Sequence, residues 1–148
     1  MEQNLNYQIY PDKKLIVEYY NGPIQLNDLI LYQNNVSFDK YYNPNYNVIN
    51  DYRDAKLVLN EADIVKYINF IKTSPKLYGS RRIAQVTNSP DQVVITTLFN
   101  VLKSDLPVKV NVVSTLEAAI NWVGLDYNDR DLVKACIVGI KSQFAAIG

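Results

Sequence analysis

The chain has 148 residues, 48% hydrophobic and 20% charged, with 15 Lys and Arg balanced by 15 Asp and Glu. That length and mixture fit one globular domain with its own core, and exclude a disordered or fibrous chain. Zero net charge argues against non-specific nucleic-acid binding, and the absence of histidine removes the commonest general base, the commonest metal ligand and every His-based triad.

The single cysteine, Cys136, permits no intrachain disulfide and has no histidine to activate it. Met1-Glu2-Gln3-Asn4 is polar, and no apolar run is long enough to cross a bilayer. The expectation is a cytoplasmic protein with no membrane insertion, no metal, no cofactor and no enzymatic activity.

Tyr7 to Tyr10 and Leu15 to Tyr20 read as strands joined by the turn Pro11-Asp12-Lys13-Lys14. Asn21-Gly22-Pro23 is expected to break the second strand. Leu26, Leu29, Ile30 and Gln33 share one helical face, and Asn34 and Asn35 are expected to end that helix. A loop rich in Asn and Tyr, Phe38 to Asn47, leads into a strand over Tyr46 to Asn50. Asn60 is a good N-cap for the next helix, with Glu61 and Asp63 in its first turn and Ile64, Tyr67, Ile68 and Ile71 along one stripe.

After Ser74-Pro75 comes a strand over Arg82 to Thr87. Ser89 then caps a third helix, with Pro90 at its first position and Gln92 completing a capping box. Its expected buried face is Val94, Leu98, Val101 and Leu102. Val108 to Val113 alternates as a strand. Ser114 and Glu117 form another capping box before a short helix over Leu116 to Val123, ended by Gly124. A final helix, about Asp129 to Phe144, repeats Leu132, Cys136, Ile140 and Phe144, with Val133 and Ile137 alongside.

The order β-β-α-β-α-β-α-β-α-α predicts an α/β fold: a mixed, mostly parallel sheet of about five strands, an opening hairpin, and helices packed on it. That order, with "GPIQLNDLILYQ", "YNPNYNVINDYRDAKL", "RRIAQVTNSPDQVVITTLF" and "VSTLEAAINWVG", resembles the STAS-type proteins. These include anti-sigma-factor antagonists and shade into CRAL-TRIO-like lipid-binding folds. The resemblance covers Tyr7 to Gly124. It implies a STAS-like domain over residues 1–124 and an additional amphipathic helix over 125–148, packed on the domain or on a second copy. Phosphoswitch members carry a serine in the loop after the third strand. Here no Ser or Thr occurs between Asp51 and Lys72, so that role is not carried over.

Asp51, Arg53 and Asp54 fall where the predicted third strand ends. In open α/β sheets ligands bind at that edge. With Asn88, Ser89 and Ser114 at the ends of two other strands, they make a candidate ligand- or partner-binding rim. The competing reading makes them turn caps and an internal ion pair. Tyr78, Arg81 and Arg82 either dock an acidic partner or form a solvated strand entrance. The 12 tyrosines suit an interface and suit half-buried strands equally. The leading expectation is a regulatory module that binds a protein partner or itself. The alternative is a carrier or sensor of a small apolar or amphipathic ligand held between sheet and helices. A cavity there, lined by Tyr and Ile, favours the alternative.

Overall fold

The computed structural model describes residues 4–147, with side chains to residue 144; Met1 to Gln3 and Gly148 lie outside it. The strands are β1 (Leu5–Tyr10), β2 (Leu15–Ile24), β3 (Asn47–Leu57), β4 (Arg81–Val86) and β5 (Val108–Val113). The helices are α1 (Leu26–Ser37), α2 (Glu61–Lys72), α3 (Pro90–Leu102), α4 (Leu116–Trp122) and α5 (Arg130–Ile147). The sheet order is β1-β2-β3-β4-β5, with β1 antiparallel to β2 and the rest parallel. Lys14, at φ 51°, closes the opening turn.

Successive strand residues point to opposite faces, so both faces of β2 and β3 can be buried at once. Leu15, Val17, Tyr19, Ile49, Ala84 and Val86 face α4 and α5. Ile16 and Val48 point the other way, and Tyr20 and Tyr52 pack with Leu29, Tyr32 and Val36 of α1. Ile64 and Ile68 of α2 meet Phe99 of α3 over Val108. Helices α1, α2 and α3 thus cover one face, and α4 and α5 the other.

Several boundaries differ from expectation. Asn21-Gly22-Pro23 does not end β2, which continues to Ile24. Beyond Tyr20 the partner strand β1 has run out, so Pro23 removes no ladder bond there, and Gly22 supplies φ 74°. Asn34 and Asn35 do not stop α1, because the next two residues, Val36 and Ser37, are buried and hold the chain in the helix. In α3, Val94 and Val101 are 62% and 68% exposed, and the inward face is Gln92, Thr96 and Phe99. The apolar arc of this helix is wide, and the docking of Gln92 fixes its rotation. The cap of α4 is Thr115, whose hydroxyl accepts from the Ala118 amide at 3.1 Å; Ser114 remains in the connection from β5. In α5 the deepest residues are Val133, Ile137 and Ile140, with Cys136 and Phe144 at the flank. An every-four row drifts around a helix of 3.6 residues per turn, so the stripe centres beside it. Asn60 caps α2 as expected, and the cap is reciprocal: Asn60 Oδ1 accepts from the Asp63 amide at 2.8 Å, and Asp63 accepts from the Asn60 amide at 3.1 Å. Among the described residues no helix is long and apolar enough to cross a membrane.

Candidate functional site

The charged stretch Asp51 to Asp54 lies inside β3, not beyond its end. Only Val48 to Asp51 pair with β4; the rest of β3 runs on as a ribbon with β2. Tyr19 pairs with Asp51, and pairing resumes at Asn21 with Asp54, so β3 carries one extra residue, a bulge. Where β4 has left, Gln92 takes its place. Its Nε2 donates to the carbonyls of Tyr52 at 2.7 Å and Ala55 at 3.0 Å, and its Oε1 accepts from the Asn88 amide at 2.7 Å. Gln92 therefore does not close the expected box onto Ser89. It clips α3 to the free edge of β3.

Asp51 is fully buried on the α4–α5 face and its charge is consumed locally. Arg53 donates Nε to Oδ1 at 2.9 Å, Nη2 to Oδ2 at 2.8 Å and its backbone amide to Oδ1 at 3.1 Å. This fork holds the Arg53 guanidinium above its ordinary pKa. Asp54 accepts from the Tyr19 hydroxyl and pairs with Lys141 of α5 at 3.3 Å. Partial burial pushes the Asp54 carboxyl up, but Tyr19 and Lys141 outweigh it and hold it below its usual range. The bulge turns both Arg53 and Asp54 toward α5.

Asn88, Ser89 and Ser114 lie at the same carboxyl end of the sheet. Ser89 accepts from the Gln92 amide at 3.4 Å as the α3 cap. A shallow cleft of about 350 Å³ beside them is lined by Arg53, Ser114, Lys134 and Lys141. Each of these cations has a carboxylate: Asp51, Glu117 and Asp54 in turn. Tyr78 and Arg81 lie at the opposite, amino end of β4, so the structure does not join them to this rim. Tyr78 is 46% exposed. Arg81 turns inward, donating Nη2 to Asn43 O at 2.8 Å and to the Tyr42 hydroxyl at 3.3 Å. Arg82 donates to Trp122 O at 3.0 Å.

The other face holds what the sequence reading passed over. Glu18, Asn50 and Gln85 are buried, and the register sets them side by side across β2, β3 and β4. This polar row floors a cavity of about 90 Å³ under α1, α2 and α3. Its apolar walls include Tyr52, Ile64, Tyr67, Ile83, Ile95 and Phe99. Glu18 Oε1 accepts from the Tyr20 hydroxyl at 2.7 Å and from Gln33 at 3.3 Å. Asn50 Oδ1, Gln85 Oε1 and the Arg81 Nε are buried and find no partner among the described residues. Such orphaned groups are rare in a folded interior and each costs about 1–3 kcal/mol. Burial pushes the Glu18 carboxyl up, against the hydrogen bonds from Tyr20 and Gln33 and the charge of Arg81. Burial also pushes the Tyr20, Tyr52 and Tyr67 phenols up, so they stay neutral near pH 7.

The signal for this row was present in the sequence. Glu18 interrupts the apolar run Leu15 to Tyr20, and Gln85 sits between Ala84 and Val86. A polar residue inside a strand buried on both faces has no solvent to reach. Only the parallel register shows that the three are neighbours.

No family model matches the chain, and no curated protein matches it. A solved structure does: an uncharacterized protein of the DUF3478 family with a SpoIIAA-like fold, from Shewanella loihica PV-4. The two share 15% identity at a TM-score of 0.50, over 80% of this chain and 91% of that one. A likeness at that identity speaks to architecture alone. With the mixed five-stranded sheet and its two helical layers, it shows that this chain has a SpoIIAA-like, that is STAS-like, α/β fold.

Proposed function

We propose that this protein is a non-catalytic binding module whose working site is the cavity between the sheet and α1, α2 and α3. The observation that carries this reading is the polar row on the cavity floor. Asn50 and Gln85 are 7% and 5% exposed, yet their amide oxygens have no protein partner among the described residues. A ligand with an apolar body and a polar head satisfies both halves of such a site: the body meets Ile and Tyr, the head meets the amides. The volume suits a small molecule and not a lipid chain. Burial keeps the Tyr52 phenol neutral near pH 7, so it meets a ligand as a hydroxyl or a ring face. The carboxyl-end rim fits a structural role, since its charges are spent on one another.

Native mass spectrometry of protein purified gently from its own cells, beside a denatured control, tests this. The expected result is an added mass of small-molecule size that vanishes on denaturation. It should be lost when Asn50→Leu and Gln85→Leu are combined. Protein without added mass, unchanged by that double substitution, contradicts the reading.

A second reading, association with a protein partner or a second copy, draws on the exposed Val94 and Val101 of α3 and on β5 as an edge strand of the sheet. A concentration-dependent dimer that Val94→Lys and Val101→Lys dissolve would support it.

A further inference from the structure

Glu18 is the only charged side chain in the polar row, and among the described residues no Lys or Arg lies within salt-bridge distance of it. Both of its hydrogen bonds go to Oε1, and among the described residues none goes to Oε2. Asp63 of α2 adds a second carboxylate to the cavity wall. The one cation in the lining, Arg81, donates Nη2 to Asn43 and Tyr42 and leaves its buried Nε without a partner among the described residues. The lining therefore holds two carboxylates, of which Asp63 is shared with the α2 cap, against one guanidinium. Asn50 and Gln85 can present either edge of their amides to a ligand, so they adapt to it. Glu18, when ionised, only accepts. Tyr52, Tyr67 and Phe99 add aromatic walls, which favour a cation over an anion.

We propose that the cavity takes a small organic cation, an ammonium group on a short aliphatic body, with Glu18 as its counter-ion and the Asn50 and Gln85 amides as its further hydrogen-bond partners. This rests on the reading of the cavity as the binding site. A buried carboxylate without a cation is costly, and pairing offsets that cost only in good geometry with extra hydrogen bonds. The two orphaned amides supply those bonds. The body is short because about 90 Å³ is less than the roughly 150 Å³ of a cavity that holds benzene.

The test uses three small probes of one branched shape: isopropylamine, isopropanol and acetate. Each is titrated into ¹⁵N-labelled protein, with the side-chain amides of Asn50 and Gln85 as reporters of the cavity. Isopropylamine should bind about tenfold tighter than isopropanol, the effect of one charge-assisted hydrogen bond, and acetate should bind least. Glu18→Gln keeps the side-chain shape and should bring the amine down to the level of the alcohol, while alcohol binding stays. Isopropanol binding as tightly as the amine, acetate binding tightest, or amine affinity indifferent to Glu18→Gln overturns the cation proposal and leaves the cavity reading standing. No shift at either amide with any probe overturns both.

Discussion

Each face of the sheet buries a carboxylate, and the two are treated differently. On the α4–α5 face Asp51 is 0% exposed, and Arg53 grips both of its oxygens while donating its own amide as well. On the opposite face Glu18 is 3% exposed, and only neutral groups, Tyr20 and Gln33, bond to it. Beside Asp51 lie Val86 and Tyr19, which ask for nothing polar from it. Beside Glu18 lies Asn50, then Gln85, with amide oxygens unmatched over a cavity. A buried charge that its neighbours fully satisfy holds structure together. A buried polar row left incomplete beside a cavity is, on the reading proposed above, the place for a ligand. Conspicuous charge in a sequence is thus a weaker sign of function than unmatched polarity in a core.

The largest expected effect breaks the satisfied side. Arg53→Ala leaves Asp51 buried and unpaired and should cost about 3 kcal/mol, the low end for a broken buried pair because Arg53 is 26% exposed. Urea unfolding reads it, and adding Asp51→Asn should recover a large part. Next comes the clip between α3 and the free edge of β3. Gln92→Ala strips the carbonyls of Tyr52 and Ala55 and the Asn88 amide of their partner, for about 2 kcal/mol. Amide exchange in the second half of β3 should quicken first.

Glu18 gives a sign test on the other side. Its folded pKa lies above its ordinary value of 4.5, so the native state holds a proton that the unfolded chain has released. Without ligand, stability should fall as pH rises from about 4.5 toward the folded pKa, and Glu18→Gln should flatten that slope and stabilise the protein at neutral pH. Arg53→Ala should not flatten it. The smallest effect belongs to the exposed pair: Lys141→Ala removes a bridge whose partners are 42% and 41% exposed, and should cost under about 1 kcal/mol, less in high salt.

The sequence revealed most where local rules act alone. Asn60 caps α2 and Pro90 opens α3 because both act within one turn of chain. The alternation of Val108, Val110 and Val112 announces β5. It misled where a distant partner decides. Asn21-Gly22-Pro23 reads as a stop, yet β3 alongside keeps the strand going. The same extension carried Asp51 to Asp54 from an expected strand end into the middle of β3. Val94 and Val101 look like a core face until Gln92 docks on β3 and turns them out. The Arg53–Asp51 pair was legible as one reading of a charged turn. The polar row was not, because Glu18, Asn50 and Gln85 become neighbours only through register.

The most direct measurement is a crystal structure, at a resolution that separates water from larger molecules, of protein taken from its own cells without refolding. The account predicts continuous non-protein density in the cavity, within hydrogen-bond distance of Asn50 and Gln85 and reaching Glu18. A cavity closed by those side chains bonding one another, or filled by ordered water alone, would contradict it.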